Sequence, residues 1–396
     1  MTISLSKRVQ RIKPSPTLAV TARAAALRAA GKDVIGLGAG EPDFDTPEHI
    51  KLAAIEAIKA GKTKYTPVDG TVSLKQAVKE KFKAFNQLEY DLDQIMISTG
   101  GKQCIYNLLQ AYIEDGDEVI IPAPYWVSYP DMTLLAGGEP VIVNTTESTR
   151  FKISPKDLES AITDKTRMFI INSPSNPTGM AYSKEELEAL GQVLLKYPNI
   201  LIATDDMYEH VLWAETPFYN IVTACPELYE RSVVLSGVSK AYSMTGWRIG
   251  YAAGPVSLIK AMKKIQGQST SNPCSISQAA AEAALRGGLK ETNHMLEAFK
   301  QRHDYVVEKL NSIPGIRCLP CDGTFYAFFN VEEIINQQSN IQDDVAFSEY
   351  LLQEIGVAFV PGTAFGAPGY LRMSYATSQS NLENALERLE KLIING

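Results

Sequence analysis

Residues 232–254, SVVLSGVSKAYSMTGWRIGYAAG, hold two apolar runs, SVVLS and RIGYAAG, around a turn of small residues that carries one lysine, Lys240, and one arginine, Arg248. The continuous apolar run is what a strand covered on both faces reads like, as in a mostly parallel sheet. A lysine just beyond such a strand, between Ser239 and Ala241, has none of the charged company of a surface lysine. Its amine is either tolerated or used.

The same pattern recurs outward from that stretch in QIMIS (94–98), EVIIP (118–122), MFIIN (168–172) and NILIAT (199–204). Polar or glycine turns follow these runs, and between them lie helix-like segments such as KQCIYNLLQAYI (102–113) and KEELEALGQVLLKY (184–197), the second opened by Ser183 with Glu186 as a capping box. This alternation predicts an α/β fold whose large domain is a mostly parallel sheet flanked by helices. Beyond residue 285 the texture changes to a long amphipathic stretch (289–310) and the runs TFYAFFNV, VAFVPG and LRMSYA, which predict a smaller α/β domain. The expected division is an N-terminal arm 1–13, a small domain of 14–45 and 286–396, and a large domain 46–285.

Composition bounds the function. The chain has 396 residues, 45% hydrophobic and 21% charged, with a net charge of -7, which is ordinary for a globular protein and argues against a nucleic-acid partner. No apolar run reaches the roughly 18 residues of a membrane span. Residues 1–32 carry Lys7, Arg8, Arg11, Lys13, Arg23, Arg28 and Lys32 with no acid, as a transit peptide does. Leu18, Ala22, Ala25, Ala26 and Ala29 nevertheless recur at helical spacing before the run VIGL, so the segment reads as part of the fold and the protein as cytoplasmic. Cys104, Cys225, Cys274, Cys318 and Cys321 are odd in number and scattered, which fits a reducing compartment. CLPC at 318–321 has no second pair, and the few histidines offer no metal site.

Ligands of open parallel sheets bind outside the carboxyl ends of the strands. There the sequence places TGGKQ after QIMIS, Trp126 after EVIIPAPY, NPTG after MFIINSPS, DDMYEH after NILIAT, and Lys240 after SVVLSGVS. Gly100 and Gly101 opening a helix offer amides to a phosphate. Trp126 offers a face to a flat ring, Asp205 a partner to a protonated ring nitrogen, and Lys240 a Schiff-base amine. Taken singly, these are a turn, a core indole and a helix cap. Converging on one crevice, they describe a pyridoxal 5'-phosphate site. GLGAG at 36–40 lacks the third glycine of a dinucleotide fingerprint.

GVSKAYSMTGWRIG resembles the lysine signature of the class I aminotransferases, which depend on pyridoxal 5'-phosphate. AGEPDFDTPEHI, GKTKYTP, STGGKQ, PYWVSYP, NSPSNPTG and LRMSYATS are similar, in order, to blocks of the aspartate aminotransferase 1-beta subgroup, so the resemblance runs over essentially the whole chain. It implies that Lys240 bears the cofactor and shuttles protons, with Asp205 on the pyridine nitrogen and Tyr208 and Asn176 on the ring hydroxyl oxygen. Trp126 would stack on the ring, while Arg248 and the backbone of Gly100, Gly101 and Lys102 would hold the phosphate. Arg372 would bind the substrate α-carboxylate, Gly40 would close over substrate, and Tyr65 would reach the phosphate of a neighbouring subunit. Lys102 would also meet a side-chain carboxylate. Many relatives carry a hydroxyl three positions before the lysine, where this chain has Gly237, leaving Ser236 and Ser239 as candidates.

The expected activity is amino transfer between L-aspartate, or a related dicarboxylic amino acid, and a 2-oxo acid such as 2-oxoglutarate, by a homodimer with shared sites. The subgroup also suggests prephenate as acceptor, with Lys13 as a contact. Alternatives on the same scaffold are an aromatic or alanine aminotransferase or a carbon-sulfur lyase. A transcription regulator using such a domain would carry an added DNA-binding unit, for which no N-terminal extension is expected.

Overall fold

The computed structural model describes residues 3–290 and 292–395. A short strand β1 (Ile35–Gly36) precedes the strands of the main sheet: β2 (Ile95–Ser98), β3 (Glu118–Ala123), β4 (Glu139–Asn144), β5 (Thr166–Asn172), β6 (Leu201–Asp205), β7 (Ser232–Gly237) and β8 (Gly250–Ala253). Their spatial order is β2-β8-β7-β6-β5-β3-β4, and β8 alone runs against the rest, pairing antiparallel with both β2 and β7. The sheet is mostly parallel, as the apolar runs predict.

A period of two explains how continuous apolar strands serve two faces. Ile97, Ile120, Phe169, Ile171, Ile202 and Val234 join the core beneath helices Glu48–Lys59, Val72–Lys81, Lys184–Leu195 and Ser275–Gly287. Their neighbours Met96, Ile121, Ile170, Ala203, Val233 and Leu235 join the opposite core, under Gly101–Tyr112, Ser128–Leu135 and Val256–Gly267. Removing one fully buried ring such as Phe169 would cost about 3–5 kcal/mol. The Ser183–Glu186 capping box is present at the start of Lys184–Leu195.

Strand β4 has no counterpart among the apolar runs read from the sequence. It lies at the sheet edge, pairs only with β3 and is half-exposed. An edge tolerates Pro140 and needs little apolar surface, so its signal is weak.

The C-terminal part adds β9 (Arg317–Cys318), β10 (Tyr326–Asn330), β11 (Val357–Ala358), β12 (Val360–Pro361) and β13 (Tyr370–Ser374). Four of these form a sheet in the order β12-β13-β10-β9, while β11 pairs in parallel with β1, tying residues 35–36 to 357–358. A separate core gathers Ile35 and Leu37 with Met295, Phe299, Phe329, Leu371 and Leu386. Cys318 and Cys321 are buried in this part of the molecule and unpaired, and burial holds both thiols far above their ordinary range.

Candidate active site

The carboxyl ends of β2, β3, β5, β6 and β7 open on a cleft of about 440 Å3. Lys240, Asp205, Tyr208, Asn176, Trp126, Gly101, Lys102, Arg248, Gly40 and Arg372 all line it. Strand order thus brings together residues far apart in sequence.

Lys240 stands just beyond β7, and its Nζ donates to the carbonyl of Gly40 at 2.5 Å. Burial pushes the amine down to about 8, a trend that Arg372 and Arg248 reinforce and that Glu41 and Asp205 oppose. It is mostly protonated at neutral pH, but its neutral fraction, roughly a tenth, is far larger than that of an ordinary lysine, which makes it a usable nucleophile.

Asp205 ends β6, with its side chain on the same face as Ala203, while Asp206 follows the parity of Ile202 and faces the other core. The Asp205 carboxylate accepts from Tyr129 Oη at 2.6 Å and from the Met207 amide at 3.3 Å. Burial raises its pKa, opposed by the Tyr129 bond, the Met207 amide and the charge of Lys240. Tyr208, one residue past Met207, shares a 2.9 Å hydrogen bond with Tyr326.

Arg372 lies in β13 and is 2% exposed. It donates to Asn176 Oδ1 at 2.9 Å and to the Gly38 carbonyl at 2.8 Å, and its Nε has no partner. Its guanidinium lies over the rings of Tyr326 and Phe365, at 4.3 and 4.9 Å from their centroids.

At the other end of the cleft, Gly100 adopts φ 85°, a region suited to glycine, and starts helix Gly101–Tyr112. A Cβ on Gly100 would meet Arg248 Nη2 at 2.5 Å, so the missing side chain lets the guanidinium reach the helix start. Arg248 itself sits at φ 58°, a strained geometry for a side chain, and donates to the Thr245 carbonyl at 2.9 Å. Of the two candidate serines, Ser236 is committed to Glu209 at 2.8 Å, whereas Ser239 lines the cleft. Lys102 Nζ lies 5.1 Å from the Trp126 ring centroid.

Tyr65 is outside this cleft and 93% exposed. Lys13 lines a second cavity of about 330 Å3 that shares Ser15, Lys102, Val127 and Ser128 with the first. Sequence reasoning missed Tyr129, Asn172 and Tyr326, together with Ser15, Thr17 and Thr21 on or just before the N-terminal helix Pro16–Ala29. Asn172 ends the run MFIIN and could have been read as a strand-end residue.

Residues 32–389 match the family of class I and II aminotransferases, and the chain belongs to it. It is 60% identical over 396 residues to the aspartate/prephenate aminotransferase of Nitrosomonas europaea, covering 99% of this chain and 100% of that one. It is 54% identical to the aspartate/prephenate aminotransferase of Cereibacter sphaeroides over 98% of both. Among solved structures it resembles the aspartate aminotransferase of Rhizobium meliloti (46% identity, TM-score 0.94, 98% of both chains). It also resembles that of Thermus thermophilus with maleate (43%, TM-score 0.93, 99% of this chain and 100% of that one).

Proposed function

We propose that this cleft binds pyridoxal 5'-phosphate through Lys240 and moves an amino group between L-aspartate and a 2-oxo acid such as 2-oxoglutarate. The observation that carries the reading is a pair of cations facing one cleft whose hydrogen bonds all go to uncharged oxygens: Lys240 to Gly40, Arg372 to Gly38 and Asn176. A buried cation left so is costly until an anion completes it. A substrate α-carboxylate completes Arg372 with paired, charge-assisted bonds.

The donor set fits the cofactor: an amine with a depressed pKa for its aldehyde, a buried carboxylate for its ring nitrogen, an indole for its ring face, and a helix start with Arg248 for its phosphate. When bound, that group supplies an electron sink for the pair left at the substrate α-carbon. Asp205 would keep the ring nitrogen protonated, and Tyr208 and Asn176 would hold the ring hydroxyl oxygen. Lys240 would hold the cofactor and, when its amine is free, would carry the proton taken from the substrate α-carbon. The Gly40 carbonyl already accepts from its Nζ, and Ser239 would join the phosphate contacts.

Dicarboxylate preference is supported by Lys102 on the cleft wall, and by the relative solved with maleate. The adjoining cavity around Lys13 supports prephenate as a further acceptor, as the relatives' names do. A homodimer with shared sites is supported by the exposure of Tyr65 and of Leu52, Ile55 and Ile58 on one helix. No helix among the described residues is long and apolar enough to cross a membrane. The unpaired cysteines support a reducing, cytoplasmic setting.

Borohydride reduction after loading with pyridoxal 5'-phosphate should label Lys240, and single turnovers across a panel of donors should favour L-aspartate. Label on another lysine, or oxo acid released continuously without an amino acceptor, would overturn the reading.

A further inference from the structure

We infer that Tyr326 is a positioning residue that donates its hydroxyl proton to Tyr208, leaving Tyr208's own proton for the cofactor's ring hydroxyl oxygen, while its ring seats the guanidinium of Arg372. This rests on the cofactor reading above. Tyr326 Oη lies 2.9 Å from Tyr208 Oη, and its ring centroid lies 4.3 Å from the Arg372 guanidinium carbon. One side chain therefore touches the residue assigned to the cofactor and the residue assigned to the substrate.

The direction of the bond follows from counting protons. A phenol has one proton to give and lone pairs to accept with. Once Tyr208 spends its proton on the ring oxygen, its contact with Tyr326 survives only with Tyr326 as donor. Burial raises both phenols, and the Arg372 guanidinium opposes that rise in each. Accepting from Tyr326 makes Tyr208 a better donor in turn.

Gly40 is part of the same arrangement. A Cβ there would meet Tyr326 Oη at 2.8 Å, while its next contact, Tyr326 Cζ at 3.8 Å, is ordinary. Glycine at this position is thus required by the hydroxyl and by nothing else within 4 Å.

The test uses the visible absorption of the lysine-linked cofactor titrated against pH. Losing the proton from that linkage leaves more negative charge on the ring oxygen, so a donor there lowers the midpoint and a weakened donor raises it. Tyr326→Phe should raise the midpoint by about 0.3 to 1 unit and lower kcat, with KM for L-aspartate nearly unchanged because the ring remains over Arg372. Tyr326→Leu should shift the midpoint alike and also raise KM by about three- to tenfold. Gly40→Ala should raise the midpoint too, and the double variant Gly40→Ala/Tyr326→Phe should match Tyr326→Phe alone. An unchanged midpoint in Tyr326→Phe, or additive shifts in the double variant, would overturn the inference while the cofactor reading stands. A wild-type protein that forms no lysine-linked chromophore would overturn both.

Discussion

Replacing Lys102 by Ala tests the substrate reading most directly. Lys102 is the second residue of helix Gly101–Tyr112, is exposed, and lines both cavities. Although the side chain is exposed overall, partial desolvation where it lines the cleft, and then the nearby Arg248, lower its pKa, so it sits in a cationic wall that an anion would complete. Two unit charges about 4 Å apart attract by about 4 kcal/mol at an effective dielectric constant of about 20, and by about 1 kcal/mol in water. Truncating one member of a fully buried pair costs about 2–5 kcal/mol, but exposure screens Lys102, which leaves about 1–2 kcal/mol.

That corresponds to a loss of about 5- to 30-fold in kcat/KM for L-aspartate and under about twofold for L-alanine, which has no side-chain carboxylate. Half-reactions of Lys102→Ala with both donors, each at about 0.1 M and about 1 M salt, read the difference. The Debye length falls from about 10 Å to about 3 Å over that range, so the aspartate penalty should shrink at high salt. An equal loss for both donors would mean that Lys102 serves only the cofactor phosphate, and the dicarboxylate assignment would fail.

Arg372→Lys keeps the charge but not the two-pronged geometry, so kcat/KM should fall by about 10- to 100-fold for every amino donor, and a loss confined to aspartate would contradict its role. Lys81 and Glu209 form a buried ion pair that Asn86 and Ser236 complete. Lys81→Met should cost about 3–5 kcal/mol in urea unfolding, and Lys81→Met/Glu209→Leu should recover most of it; equal losses in both would refute the pairing. Against burial, Lys81 first, then His210 and Asn86, hold Glu209 below the usual carboxylate range, so this stabilisation is present above its unfolded pKa and is lost as pH falls through the folded one. Mixing Tyr65→Phe chains with Lys240→Ala chains should give hybrid dimers whose activity differs from either parent, whereas an active monomer in sedimentation would refute shared sites.

Apart from its edge strand β4, the sheet was legible because its strands announce themselves twice, by apolar runs and by the turn chemistry after each. The cleft was legible where a residue ends its strand or stands within a few positions of it, as Asp205 and Lys240 do. Tyr129 and Tyr326 were not, for one sits on helix Ser128–Leu135 and the other in β10, and an aromatic in either context reads as core. Only the tertiary arrangement sets their hydroxyls against Asp205 and Tyr208. Serine posed the converse difficulty. Ser236 and Ser239 differ by an odd number of positions at a strand end, and the choice turns on Glu209, whose position on the buried face depends on Lys81 from a distant helix.

Adjacent acids with opposite fates follow from the same period of two. Asp205 reaches the cleft, where Tyr129 and the Met207 amide supply donors and Lys240 supplies charge. Asp206 turns to the other face, accepting from Thr204 and Asn220, and burial with Glu209 nearby pushes it up to about 8. Burial lowers His210 to about 4, which leaves that ring neutral. Beside it the Lys81–Glu209 pair carries no net charge. On the reacting side Asp205 opposes the cations Lys240, Arg248 and Arg372. The field an incoming carboxylate and phosphate would meet is set by those cleft residues.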